Sequence, residues 1–349
     1  MTEALAPGLA LDAVVALLLV GLVFRLLTTR DLFEAIVLFV SYGLTLSLAW
    51  VRLGAPNIAL AEAALGAGVT GALFLNTYQR LSERVDDADR APLLVDDGSR
   101  DPSGWFRGLL AAGVIALGAL LGWILLGAGV RPAFLPNEIA ANLPRSGVEN
   151  PVTGVLLNFR SYDTLLEIAV LVAAMVGVWS LDRGSRRFGR PRAEPRSDPV
   201  LIALIRIVVP VAVVTTVYLT WIGSTEPGGA FQAGALLAGA GVLLAVTGIV
   251  PPPTAASAPV RAVAAGGLAG FVLAGLVVLP ITGTFLQYPA GWAYPMILAI
   301  ESLLTLSIAI VLVELFVDVP AVPEPDPALE TIDPSGDPLG RALGIEEDT

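Results

Sequence analysis

Apolar runs of about 20 residues, the length that carries a helix across the hydrocarbon core of a bilayer, recur nine times along this chain. They lie at roughly 8–28, 31–51, 57–78, 106–127, 161–181, 201–223, 229–250, 260–280 and 293–317. Backbone polar groups in lipid must be satisfied within their own segment, so each such run is a helix. Of the 349 residues, 55% are hydrophobic and only 15% charged, with a mean hydropathy of +0.78. A soluble domain of this length cannot hide that much apolar surface. The expected fold is an all-α polytopic membrane protein with about nine transmembrane helices. The first run lacks an A-x-A-like cleavage site and reads as a retained span.

Arginine marks the loops alternately. Arg25 and Arg30 follow the first run, five Arg lie between residues 80 and 107, and six lie within 180–199. The intervening connections hold only Arg52, then Arg131 and Arg145, then none in 224–228 or 281–292. The positive-inside rule places the N-terminus outside and the C-terminus in the cytoplasm, for a multi-pass membrane protein. Two polar linkers, 83–104 and 182–199, divide the spans into groups of three, two and four. The expected units are 1–82, 105–181 and 200–318, followed by a Pro-rich, acidic and disordered tail over 319–349. The groups are not copies of one another, which argues against an inverted-repeat transporter.

Absences narrow the chemistry. Cysteine and histidine are missing, and every one of the 20 basic residues is Arg. Thiolate sites, imidazole relays and a switchable intramembrane lysine are therefore excluded. No phosphate-binding loop or metal-ligand pattern is present, so no cofactor is expected. Proton or ion traffic must rest on carboxylates, Arg, neutral polar groups and water.

Ionisable groups within spans are costly and point to function. Glu34 lies about one turn inside the second run, beside Arg30. Glu62 lies in GAPNIALAEAALGAGVTGALF, where small residues allow neighbours to pack at backbone contact and would hold the carboxylate among helices. Asp163 and Glu167 share a helix face at i,i+4, with Arg160 within reach of Asp163. Arg keeps the first carboxylate charged, whereas depth and a like-charged neighbour favour a proton on the second, a pairing suited to proton hopping. Glu301 stands alone near the middle of the last run. Glu314, close to its cytoplasmic end, reads as interfacial.

The stretch WIGSTEPGGAFQAGAL (221–236) carries more polarity than a hairpin between spans requires. Pro227 suits the first turn of the seventh span. Gly228 and Gly229 let another group approach the helix start, whose free N–H groups attract carboxylates. With Gln232 one turn deeper and Glu226 before it, this is a polar notch at the outer side.

These motifs resemble known ones. STEPGGAFQAGALLAGA (224–240) is similar to the PGGGFQ-type signature of the MnhB domain of Mrp-type cation/proton antiporters, also found in membrane-bound hydrogenases related to complex I. LGAPNIALAEAALGAGVTGALFL (53–75) looks like the MbhD-type pattern GAPDVALTEA-x-x-GAG. NPVTGVLLNFRSYDTLLEIAVL (150–171) resembles the MbhE-type pattern N-x-VTA-x-L-x-x-FRGFDTLGE. Departures are Ser224 for the usual His, Ala230 for Gly, Asn57 for Asp, Ala61 for Thr, and Ser161, Tyr162 and Leu166 in the third motif.

The resemblance implies a fused accessory subunit of a multisubunit complex, beside antiporter-like subunits that carry the membrane Lys this chain lacks. It also implies a place in a prokaryotic inner membrane, with Glu62, Asp163 and Glu167 lining a path for H⁺ or Na⁺, K⁺ being the other candidate cation. Alternatives in the same vein are a complex I-like enzyme of the membrane-bound hydrogenase type, or a complex coupling ion flow to uptake of a small molecule such as inorganic carbon. From a different class comes a scaffold that carries no ions. No nucleic acid is expected as a partner.

Overall fold

The computed structural model describes residues 5–82, 104–127, 134–182, 199–250, 257–289 and 291–317. The expected linkers (83–104 and 182–199, apart from their terminal residues), Arg131 and the acidic tail lie outside the described residues. The fold is all-helical: α1 Leu5–Thr28, α2 Leu32–Arg52, α3 Pro56–Ala61, α4 Thr70–Ser82, α5 Gly104–Gly127, α6 Phe134–Asn142, α7 Pro151–Gly154, α8 Ser161–Asp182, α9 Pro199–Ile222, α10 Ala230–Val246, α11 Ala258–Thr282 and α12 Ala293–Val317. Among the described residues, seven helical stretches are long and apolar enough to cross a membrane, and Ala111–Ile124 and Ala230–Val246 are shorter apolar helices.

The sequence writes several boundaries directly. Asp31, in an extended conformation, accepts the Glu34 N–H at 2.9 Å and starts α2. Gly283 is left-handed and ends α11. Asn150 accepts the Val152 N–H at 2.9 Å, with Pro151 opening α7.

Two features depart from the apolar-run reading. The third span is not one uniform helix: α3 passes through a π-helical segment, Glu62–Val69, into α4. The residues before α8, expected as a plain connection, form α6, a 3₁₀ turn at Leu143–Arg145, α7 and a second π segment at Val155–Phe159. Within this second segment the Arg160 N–H reaches back five residues to the Val155 carbonyl at 2.7 Å. The Thr164 hydroxyl reaches the Leu156 carbonyl at 2.8 Å, absorbing an acceptor the wider turn leaves free.

α12 is the axis of the packed core. Its flanks meet α8, α9, α10 and α11, and Ile297, Leu304 and Ile308 are buried with Phe271, Val278 and Ile168. Small residues let these helices come close. A Cβ on Gly234 of α10 would lie 2.8 Å from the Cβ of Ile308, and one on Gly267 of α11 would lie 2.6 Å from the Cβ of Ser307. By contrast, α5 exposes apolar side chains along its length, including Val114, Leu120 and Trp123.

A polar knot and a buried carboxylate at the start of α10

Between α9 and α10 the chain turns back on itself tightly. The Glu226 N–H donates to the Ile222 carbonyl at 2.8 Å, and the Gly229 N–H to the Leu219 carbonyl at 2.9 Å. Glycine is required on both sides of this fold. A Cβ on Gly223 would stand 2.6 Å from the N and Cα of Gly229, and Gly229 itself has φ of +105°. The helix begins only at Ala230, so Pro227 lies in the loop and not in the first turn as expected. The backbone reversal needs three further residues before helical hydrogen bonding can start.

This loop is gripped from two directions. From α7, the Asn150 side-chain amide donates to the carbonyls of Gly223 at 3.1 Å and Glu226 at 2.7 Å. The Thr153 hydroxyl donates to the same Gly223 carbonyl at 2.5 Å. The backbone N–H groups of Glu149 and Asn150 both donate to the Ser224 carbonyl, at 2.8 and 2.9 Å. From the start of α3, Asn57 accepts the Gly228 N–H on its Oδ1 at 3.0 Å, and its backbone carbonyl accepts from Gln232 Nε2 at 3.1 Å. Three stretches far apart in sequence (GAPN, NPVT and STEPGGAFQ) thus meet at one point.

Glu301 reaches this point from α12. Its side chain is 2% exposed. The Ala230 backbone N–H, at the start of α10, donates to its carboxyl group, and Oε2 has no hydrogen-bond partner among the described residues. A Cβ on Gly229 would lie 2.9 Å from Glu301 Oε1 and 3.7 Å from Gln232 Oε1, so both oxygens converge on the gap that glycine leaves. One turn along α12, the Thr305 hydroxyl donates to the Glu301 carbonyl at 2.8 Å and lies 3.1 Å from the Thr220 hydroxyl of α9. The free N–H groups of a helix start thus find a carboxylate, as the paired glycines led us to expect. Which carboxylate was not legible, because about 70 residues separate the two in sequence.

The remaining candidates are distributed. Glu62 is half-buried at the head of the π segment, with its carboxyl folded over Gly66, where a side chain would collide with it. That segment packs on α2, where a Cβ on Gly43 would lie 3.1 Å from that of Ala67, and on α10. Arg160 pairs with Asp163 at 2.7 Å as the spacing predicts, while Glu167 is exposed one turn along. Among the described residues no hydrogen bond or ion pair joins Asp163 or Glu167 to the Glu301 cluster. Glu34 is held by Arg25 at 2.6 Å and by the Thr29 hydroxyl at 2.5 Å.

Two expectations change. The Glu226 side chain is exposed, and the loop uses its backbone carbonyl instead of its carboxylate. Glu314 is 1% exposed and accepts from the Trp179 indole N–H at 3.3 Å, because α8 and α11 cover the C-terminal end of α12 as fully as its middle. Asn57, Asn150, Thr153, Thr220 and Thr305 escaped the sequence reading as site residues. Asn150 and Thr153 stood in the sequence only as part of the NPVT motif, which could not name their distant acceptors.

A separate cavity of about 500 Å³ is lined by Glu138, Asn142, Arg145, Asn158, Gln287 and Tyr288. Burial pushes the Tyr288 hydroxyl up to about 12, with the Ser161 hydroxyl working in the opposite direction.

Residues 17–83 and 107–200 match the families described as MBH subunits D and E, respectively. Residues 200–319 match a domain related to the MnhB subunit of Na⁺/H⁺ antiporter. The chain carries MbhD, MbhE and MnhB domains, in that order. The GAPN, NPVT and STEPGGAFQ stretches fall one in each, so the polar knot is where the three domains meet.

Among curated proteins, the chain is 24% identical over 181 residues to the A subunit of the Na(+)/H(+) antiporter of Bacillus subtilis, covering 52% of this chain and 21% of that protein. It is 29% identical over 231 residues to the A/B subunit of a probable K(+)/H(+) antiporter of Rhizobium meliloti, covering 57% and 22%. It therefore spans about a fifth of the length of these relatives. Among solved structures, a chain of the Mrp complex from a Dietzia species superposes with a TM-score of 0.68 at 22% identity, over 89% of this chain and 35% of that one. A chain of the membrane-bound sulfane sulfur reductase, an archaeal respiratory membrane complex, gives 0.52 at 21% identity over 61% and 97%. At these identities the likeness is one of fold.

Proposed function

We propose that this chain is a non-redox membrane subunit of a multisubunit Mrp-type cation/proton antiporter in a prokaryotic inner membrane, and that it supplies carboxylates to the ion path beside antiporter-like subunits. It crosses the bilayer nine times, with the N-terminus outside and the C-terminus in the cytoplasm. The observation that carries the ion-path reading is Glu301, a carboxylate buried mid-span with one oxygen unsatisfied. A scaffold has no need of such a group, because a polar atom stripped of partners in a packed core costs stability. Glu62, in a π segment packed on α10, is the second member of the path, since a π segment breaks the regular helical hydrogen bonding beside the carboxylate. The Arg160–Asp163–Glu167 cluster, which has no hydrogen bond or ion pair to the Glu301 cluster among the described residues, serves exchange with the outer aqueous phase or a neighbouring subunit.

A second reading has its own support. The MbhD and MbhE descriptions, together with the fold likeness to a respiratory reductase, fit the same module in a redox-driven complex. Isolation of the tagged protein from its native membrane in mild detergent, with mass spectrometry of what accompanies it, separates the two. Mrp-type membrane subunits alone establish the antiporter; a hydrogenase or dehydrogenase limb establishes the redox machine. In either complex, Glu301→Gln and Glu62→Gln are expected to assemble normally and to lose cation-dependent proton movement in vesicles. Assembly with full transport in both variants would return the chain to a scaffold.

A further inference from the structure

The cavity framed by α6, the second π segment and the α11–α12 loop takes no part in the polar knot. We propose that it binds the zwitterionic headgroup of a phosphatidylethanolamine lipid, with Arg145 receiving the phosphate and Glu138 the ammonium. The proposal is independent of the ion path and holds in either kind of complex.

The two charges carry it. Arg145 and Glu138 both line this cavity of about 500 Å³, within the roughly 300–1,000 Å³ of small-molecule sites. They do not neutralise each other: among the described residues neither side chain takes part in an ion pair. A purely anionic ligand would satisfy Arg145 and be repelled by Glu138, and a purely cationic one the reverse. A molecule carrying both signs satisfies both.

The neighbouring amides fix this arrangement. The Asn142 amide donates to the Glu138 carbonyl at 2.8 Å, and its Oδ1 accepts from Arg145 Nη1 at 3.4 Å. The other guanidinium N–H groups remain for a phosphate, which a planar fork of donors recognises well. Across the cavity, Asn158 is tethered through Nδ2 to the Ser146 carbonyl at 2.9 Å, which leaves its Oδ1 as an acceptor beside the Glu138 carboxylate. The Gln287 side-chain amide, from the α11–α12 loop, forms no hydrogen bond among the described residues. A primary ammonium, all donor and no acceptor, suits the carboxylate and these amide oxygens.

The apolar part of the lining favours a lipid over a soluble zwitterion. Leu135 and Phe159 stand exposed at the same cavity, with Ile139 between the charged positions of α6. Exposed apolar side chains beside a charged cavity, just ahead of the membrane-spanning α8, offer a path for the acyl chains of a bound headgroup.

The test is titration of the delipidated, purified complex with phosphatidylethanolamine or phosphatidylglycerol. Native mass spectrometry counts the bound lipid, and hydrogen exchange over 135–145 locates it. The expected result is one phosphatidylethanolamine held about tenfold more tightly than phosphatidylglycerol, with slowed exchange over 135–145. Glu138→Gln should abolish that preference, and Arg145→Gln should weaken both lipids by about tenfold. Both side chains are exposed, so both variants should fold; should one fail to assemble, the wild-type preference decides. Equal binding of the two lipids by wild type, or a preference unmoved by Glu138→Gln, overturns the proposal. Equal protection by soluble glycerophosphoethanolamine would overturn the lipid and assign the site to a free zwitterion. Full protection of 135–145 before any lipid is added would mean that a neighbouring subunit fills the cavity, and overturns it as well.

Discussion

The Gly223 carbonyl provides a quantitative test of whether the polar knot holds the three domains together. It is buried and has two side-chain donors, Asn150 Nδ2 at 3.1 Å and the Thr153 hydroxyl at 2.5 Å. Asn150→Ala removes that bond, the 2.7 Å bond to the Glu226 carbonyl, and the cap on Val152. At roughly 1 kcal/mol net for each, the variant should lose about 2–4 kcal/mol. Thr153→Val keeps the shape and removes one bond, for about 1 kcal/mol. Each single variant leaves the Gly223 carbonyl one donor, whereas the double variant strips it of both and leaves a buried acceptor unsatisfied. The double loss should therefore exceed the sum of the singles by roughly 1 kcal/mol, the signature of two groups sharing one partner. Equilibrium unfolding of the four proteins in mixed micelles gives the cycle directly. Additivity within about 0.3 kcal/mol, or an Asn150→Ala loss under about 0.5 kcal/mol, would show that the loop is held by other contacts.

Other perturbations discriminate more locally. Gly229→Ala forces a side chain into a left-handed backbone and against Glu301 Oε1, and should lose about 1–3 kcal/mol together with ion-dependent transport; unchanged stability by the same unfolding assay would show that the loop relaxes freely. Gly66→Ala displaces only the flexible end of Glu62, so folding should be nearly unaffected while cation-driven proton flux in vesicles falls; intact flux would remove Glu62 from the path. Asn57→Asp keeps the acceptor for the Gly228 N–H and should leave unfolding within about 1 kcal/mol of wild type, whereas Asn57→Leu, with no acceptor, should lose about 1–3 kcal/mol; equal losses would mean that the 3.0 Å bond contributes nothing. Arg52→Ala breaks the 2.7 Å pair with Asp12, half-exposed on both sides, and should change stability by less than about 1 kcal/mol; a larger loss would mean that α1 depends on this ion pair to dock on α2.

The sequence carries the helices because a bilayer admits so few alternatives: an apolar run of sufficient length leaves the backbone no partner but itself. The same logic fails at the π segments. Val155–Phe159 and Glu62–Val69 have no composition that separates them from ordinary helix, since a wider turn is set by what neighbouring helices accept, not by local propensity. The site was legible in one half only. Paired glycines after a proline announce a helix start open to a carboxylate, and the chain supplies that end at Ala230. The other half, Glu301, comes from a helix that is apolar on most of its circumference and buried at both ends, so the direction of the carboxylate is a property of packing. Glu314 shows the same limit with the opposite outcome: closeness to a span end suggested the interface, and two covering helices bury it.

The knot also accounts for one departure from the family pattern. Where the MbhD-type motif usually has Asp, this chain has Asn57, and the structure uses that residue twice, as a side-chain acceptor and through its carbonyl. An Asp would accept the Gly228 N–H equally well, so the hydrogen bond itself does not distinguish the two residues. Charge does. Asn57 is joined through Gln232 to the edge of the gap where Glu301 Oε1 points, and a second anion there would raise the cost of an ionised Glu301. With a neutral acceptor in its place, the positive end of α10 serves Glu301 alone. Transport by Asn57→Asp should therefore keep its amplitude and shift its pH dependence to more alkaline values, in the direction that a proton held more firmly on Glu301 requires. A profile unmoved by the added carboxylate would mean that the seam between the first and third domains is electrically silent, and that Asn57 serves only to hold the loop.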